Sequence, residues 1–240
     1  MNESRSRRAL RHVDAGGATL ARPIQGKLPR GASSLPKHVV EAEQRKRLTL
    51  ATAKVVAAKG FADASVADII GVAGVSRATF YELFKDKEDC FLFGFRKLSC
   101  AHLQQIQVGM QVDGGLSERL YGAIRAYIER IDADGELAQA FIAEAESATP
   151  AIRAEFVKAM RDLRRTLNAW LDEVQTRYPT IARPAEVDVS LTMSGLIGHV
   201  IDRVRLGRRF TAQDVAAIHA FLLRGLGLHE SLSTEVAESD

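Results

Sequence analysis

One stretch, Ser65 to Glu88 (SVADIIGVAGVSRATFYELFKDKE), constrains what this chain can fold into more than any other. Ser65 and Asp68 have capping-box spacing, with Asp in place of the usual Glu, so a helix is expected to start there. Val66, Ile69 and Ile70 recur at helical spacing and give it a buried face. Gly74 takes the positive φ of a sharp turn at no steric cost, and Val75 plugs the angle beyond it. Ser76 is a second cap, with Thr79 three residues on. Phe80 and Phe84 face inward, which leaves Arg77, Ala78, Thr79, Tyr81 and Glu82 on the outer surface. Asp86 caps a further helix. The spacing predicts helix, tight turn, helix.

That outward set suits a nucleic-acid surface. Arg77 matches guanine edges or phosphate, and Thr79 matches a thymine methyl or a phosphate. Tyr81 offers a hydroxyl to phosphate, and Ala78 permits close approach. Lys87 falls in the first turn of the next helix, where its charge and the helix N–H groups favour an anion. By itself the pattern also suits an ordinary helical corner with a solvated polar face.

Upstream, Leu48, Ala51, Thr52, Val55 and Val56 form an apolar helical stripe that Gly60 ends, and Arg45, Lys46 and Arg47 lie near its start. Over the run RKRLTLATAKVVAAKGFADASVADIIGVAGVSRATFYELFKDKEDCFL, about a fifth of the chain, the sequence resembles the tetracycline-repressor (TetR) family of bacterial transcription regulators. The resemblance implies DNA contacts at Ser65, Arg77, Ala78, Thr79, Tyr81 and Lys87, and buried positions at Phe61, Ile69, Val75, Phe80 and Phe84. With Arg45, Ser76 and Lys85 these polar residues make the candidate DNA-binding set. Lys85 stands where the family commonly has proline, and Glu82 where a neutral group is frequent. A carboxylate beside phosphates costs affinity unless it pairs with Lys85 or accepts from a cytosine amine.

The expected class is all-α: a three-helix helix–turn–helix domain at 38–87, then a larger helical ligand-binding and dimerisation domain at 88–229. Residues 1–37 are expected to be a disordered basic arm and 230–240 a frayed tail. Charge follows this division. Residues 1–37 hold eight Lys/Arg against two acids, and 88–240 hold seventeen against twenty-two, so positive charge collects at the end expected to meet DNA. No apolar run approaches the length of a membrane span, and the basic start lacks the apolar segment of a secretory signal. Cys90 and Cys100 fall on one predicted helix, roughly 15 Å apart along its axis, too far for a disulfide. Free thiols in a reducing cytoplasm are expected.

Beyond Lys87 the pattern predicts helices over Lys87–Met110, Leu116–Asp132, Glu136–Ala148 and from Thr149–Pro150 to Tyr178. One more opens at Pro184, and a last is capped by Thr211 with Asp214. The Pro184 helix is apolar on two sides and must bury both. Leu191, Ser194, Gly195, Gly198 and Ile201, with Ile218, Phe221 and Leu222 of the last helix, are the candidate dimer interface.

No metal-ligand spacing, nucleophile elbow or phosphate-binding loop appears, so no enzyme, cofactor or metal is expected. By resemblance the second domain holds a small-molecule pocket, with Phe95, His102, Tyr127, Phe141, Trp170, Met193 and His199 as candidate lining groups. The expected partners are double-stranded DNA, a second copy of the chain and a largely hydrophobic effector. The implied function is a ligand-responsive repressor on a pseudo-palindromic operator. A regulator or architectural protein without effector, or an activator, remains open. Deleting residues 1–34 should lower DNA affinity and flatten its salt dependence; unchanged binding across a salt series would reject a DNA-contacting arm.

Overall fold

The structure, a computed structural model, describes residues 36–145 and 149–228. The expected N-terminal arm and C-terminal tail lie outside the described residues, apart from the end of the arm at Pro36 and Lys37. All regular structure among the described residues is helical.

Helix α1 (Lys37–Asp63) buries Leu48, Ala51, Thr52, Val55 and Val56. It kinks at Gly60, whose φ of 79° and ψ of 162° are non-helical; the helix resumes for a last turn instead of stopping there. Helix α2 (Val66–Ala73) starts on a reciprocal capping box between Ser65 and Asp68 and ends at Gly74 with φ 63°. Helix α3 (Arg77–Leu83) is capped by Ser76, whose Oγ accepts from the Thr79 N–H at 3.0 Å. Phe80 is fully buried beneath it, and Phe84 is buried at its C-cap.

Helix α4 (Lys87–Gly109) begins at the Asp86 cap and runs out of this unit into the second domain. There it packs on α5 (Leu116–Asp134) and α7 (Pro150–Arg177), while α5 packs on α9 (Ala212–Gly225) and α9 on α8 (Glu186–Arg205). The Thr149 hydroxyl caps α7, with Pro150 at its first position. A second capping box, Thr211 with Asp214, opens α9.

Two expectations are corrected here. No continuous helix runs over Glu136–Ala148: a single turn, α6 (Glu136–Ala138), passes into a π-helical turn at Gln139–Ala143, and residues 146–148 lie outside the described ones. Pro184 does not open α8; it precedes the N-cap Ala185 by one residue, and the helix starts at Glu186. A proline restrains the residue before it to extended backbone, so it marks a boundary region rather than a fixed first residue.

The π-helical turn places Phe141 in the seam between the two domains. Its ring lies 4.8 Å from that of Phe91 on α4, which in turn meets Phe61 of α1 at 5.2 Å, both edge to face. Gly94 makes room for this contact. A Cβ there would sit 2.6 Å from the Thr49 methyl and closer still to the Phe141 ring. Gly94→Ala is therefore expected to cost about 1–3 kcal/mol of stability. Gly71→Ala, where nothing lies within 4 Å, should stabilise the helix by about 0.5–1 kcal/mol. Denaturant midpoints of the two variants check both signs.

Candidate nucleic-acid interface and effector cavity

The turn at Gly74 and the cap at Ser76 set the angle of α3 and leave one side of it open. Arg77, Ala78, Tyr81 and Glu82 are exposed on that side, and Lys85 is exposed just beyond it. Tyr81 is 51% exposed, its ring braced edge-on against Phe80 at 5.3 Å so that its hydroxyl stands away from the core. Glu82 forms no ion pair with Lys85 among the described residues. It therefore presents an uncompensated carboxylate on the recognition surface, which disfavours phosphate and suits a cytosine amine. Thr79 is only half-exposed, and its hydroxyl meets Ser76 Oγ at 2.9 Å. Ser65 and Ser76 both spend their oxygens as helix caps. Asp68, partner of Ser65, also pairs with Lys59 at 2.7 Å; that contact and the Ser65 bonds hold its carboxyl at about 2.

Two cations assigned to DNA from the sequence have inward occupations. Arg45 Nη1 donates to the Leu83 carbonyl at 2.8 Å, and its guanidinium lies over Phe84 at 5.0 Å and Phe93 at 5.7 Å. It ties α1 to the end of α3. Lys87 Nζ donates to the carbonyls of Phe61, Ala62 and Ala64 at 2.9, 2.9 and 2.8 Å and sits over the Phe61 ring. These are the unpaired carbonyls at the end of α1, where a cation is favoured. Arg47, which sequence reasoning passed over, likewise bonds the Ala73 carbonyl at the end of α2. An ammonium three bonds deep in carbonyls is structural wherever else it reaches.

The second domain holds two small apolar voids. The first, about 40 Å³, lies between α4, α5, α7 and α8, and Phe95, His102 and Tyr127 line it. The second, about 50 Å³, is lined by Tyr127, Met193 and residues of α5, α7 and α9. His102 Nε2 meets Asp134 at 3.0 Å, and Arg130 holds the same carboxylate by two bonds of 2.9 and 2.7 Å. Three candidate lining residues lie elsewhere. Phe141 is in the domain seam, and His199 is exposed with its ring 6.2 Å from that of Phe210. Trp170 lines a separate surface cleft with Arg119 and Glu173. The resemblance implies a pocket in this domain without saying which side chains reach it.

On α8, Leu191 (66% exposed), Ser194, Gly195 and Gly198 form an open face with Val187, and Phe221 of α9 is 40% exposed beside it. Ile201, Ile218 and Leu222 turn into the chain's own core at 3, 7 and 4% exposure, which corrects their assignment to a dimer surface. Cys90 is buried with its sulfur 3.2 Å from Thr52 Oγ1; burial pushes the thiol up to about 12, so it is no nucleophile at neutral pH. Among the described residues there is no cluster of three metal-binding side chains, and no helix is long and apolar enough to cross a membrane.

A three-helix unit with one helix open to solvent, joined by one continuous helix to a larger helical domain, is a helix–turn–helix fold of the kind that binds DNA. Residues 48–92 match the family model "Bacterial regulatory proteins, tetR family". The chain is similar in fold to a TetR family transcription regulator from Marinobacter aquaeolei VT8, at 22% identity and TM-score 0.59, covering 79% of this chain and 98% of that one. It is also similar to the fatty acid degradation regulator FadR from Bacillus halodurans, at 21% identity and TM-score 0.65, covering 75% and 98%. A third likeness is FadR from Bacillus subtilis in complex with stearoyl-CoA, at 20% identity and TM-score 0.61, covering 76% and 97%. No curated protein matches the chain. The fold and its DNA-binding unit are those of TetR-family transcription regulators.

Lys87 and Tyr81 separate structure from recognition. Lys87→Ala should destabilise the fold by about 1–3 kcal/mol, because it leaves carbonyls unpaired. Tyr81→Phe should change stability by less than about 0.5 kcal/mol, as expected of a surface position, while weakening DNA binding. Thermal unfolding and gel retardation of the two variants measure this split; equal stability in both would remove the capping role of Lys87.

Proposed function

We propose that this protein is an effector-responsive transcriptional repressor that binds a pseudo-palindromic operator as a homodimer. The observation that carries the reading is the pairing of two surfaces at opposite ends of the chain. Arg77, Ala78, Tyr81 and Lys85 face outward on one, and Val187, Leu191, Ser194 and Gly198 on the other. A single recognition helix reads too few base pairs for useful specificity, and a two-fold axis through α8 and α9 supplies the second half-site. The unpartnered apolar face of α8 is the surface such an axis needs.

The effector arm of the proposal rests on how the domains are joined. Glu144, just after the π-helical turn, accepts from the Phe61 N–H at 3.3 Å, at the kink of α1. Arg205 at the end of α8 donates to the Ala143 carbonyl at 3.0 Å. Glu88, beside the α4 cap, accepts from the Thr149 hydroxyl that caps α7. A largely hydrophobic molecule that preferred a different packing of α4 against α5 and α7 would act through these ties on the recognition helices. It would shift DNA affinity only by its differential affinity for the two packings, typically ~1–3 kcal/mol. The stearoyl-CoA bound by the similarly folded Bacillus subtilis regulator supports a small-molecule role for a domain of this architecture.

Gel retardation and sedimentation of Leu191→Arg test the dimer and the DNA reading together. A buried arginine without a partner should turn the dimer into monomer and lower operator affinity by at least about 100-fold, as loss of a second half-site implies. A variant that stays dimeric or binds DNA as well as the parent contradicts the proposed axis.

A further inference from the structure

Tyr127 is 8% exposed, its hydroxyl has no hydrogen-bond partner, and it lines both apolar voids. The His102 ring packs against it edge to face at 5.6 Å. The enclosed polar atoms without a partner are Trp170 Nε1 and Arg203 Nε among the described residues, so the Tyr127 hydroxyl keeps accessible surface and stands as a free donor beside the two voids. Burial pushes the phenol further above its ordinary range, so it remains a neutral donor at any physiological pH.

The walls around it define the partner's chemistry. No Lys or Arg lines either void. Arg130, the guanidinium next to His102, is taken up by Asp134 through two bonds, and His102 uses Nε2 on the same carboxylate. Thr166, in the second void, gives its hydroxyl to the Asp162 carbonyl. An anion held within these two voids would find no cation on their walls, the nearest lining arginines, Arg161 and Arg164, belonging to the adjoining α7/α8 groove, so its desolvation would go uncompensated there. Hydrocarbon with one hydrogen-bonding atom fits.

The voids also share a wall. Ile106, Tyr127 and Leu163 form the partition between them, since all three line both. Met160 lines the first, and Met110 and Met193 the second; these are all the methionines of the described residues. Methionine is unbranched and adapts its shape at little cost, so a lining rich in it yields to a ligand larger than the resting space.

We propose that the effector is an uncharged molecule, mostly hydrocarbon, whose single hydrogen-bonding oxygen meets the Tyr127 hydroxyl, and that it merges the two voids into one elongated site. This rests on the reading of the helical domain as an effector domain. It assigns Tyr127 as the specificity contact and the Ile106–Tyr127–Leu163 partition as the part that moves.

1-Decanol and decanoate, equal in chain length and different in charge, are the probes. Binding to the full-length protein is followed at pH 7 by thermal shift and by the fluorescence of Trp170, the single tryptophan. Decanol should bind at least about tenfold more tightly than decanoate, and Tyr127→Phe should weaken decanol about tenfold through the lost hydrogen bond. That variant removes an unpaired hydroxyl, so the unliganded protein should unfold at the same temperature or higher. Decanoate binding as tightly as decanol, or Tyr127→Phe binding decanol like the parent, overturns the assignment. Decanoate binding that is lost in Arg161→Ala with Arg164→Ala would also overturn it, and would move the polar end to the α7/α8 groove that those arginines line. Failure of both probes, with DNA retardation intact, overturns this inference and the effector reading together while the DNA reading stands.

Discussion

The contact on which the two halves of this protein depend is the aromatic stack Phe61–Phe91–Phe141. Phe61 belongs to the DNA-binding unit, Phe141 to the π-helical turn of the second domain, and Phe91 sits on α4 between them. All three are buried, two of them completely. A rigid edge-to-face stack of this kind cannot slide gradually; it holds one packing or is exchanged for another. Around it lie the Glu144 bond to Phe61 and the Lys87 clamp on the carbonyls that follow Phe61. These contacts, with the continuous helix α4, join the second domain to the DNA-binding unit.

The same economy of parts explains why few side chains are left for DNA. Arg45, Arg47 and Lys87 each end a helix or bridge two of them. The charge that faces outward is carried by Arg77 and Lys85, opposed by Glu82. A surface with two cations, one carboxylate and one phenol offers little bulk phosphate attraction, which leaves base contacts the larger part of what α3 itself can supply.

Local chemistry made much of the fold legible in the sequence. The Ser65–Asp68 and Thr211–Asp214 boxes, the Ser76 and Asp86 caps and the Gly74 turn all appear where residue type and spacing require them, because capping is decided within four residues. Features decided by distant parts of the chain were not legible. The carbonyls that receive Lys87 lie more than twenty residues upstream, and those that receive Arg45 and Arg47 lie on other helices. Helix α8 reads as apolar on two sides, but periodicity cannot say which side is inside, so Ile201 was placed outward with Leu191 although it is buried. The π-helical turn at Gln139–Ala143 leaves no mark in QAFIA, which carries no Gly or Pro to signal a departure from α-helix.

The central claim is that two copies of α3 read DNA as a symmetric pair. Selection of bound sequences from a random DNA pool by the full-length protein tests it most directly. The account predicts enrichment of an inverted repeat, with half-site centres about 34–36 Å apart or a multiple of that distance, and loss of that enrichment when Arg77 is replaced by alanine. Recovery of a single asymmetric site, or of no sequence above background, would contradict it.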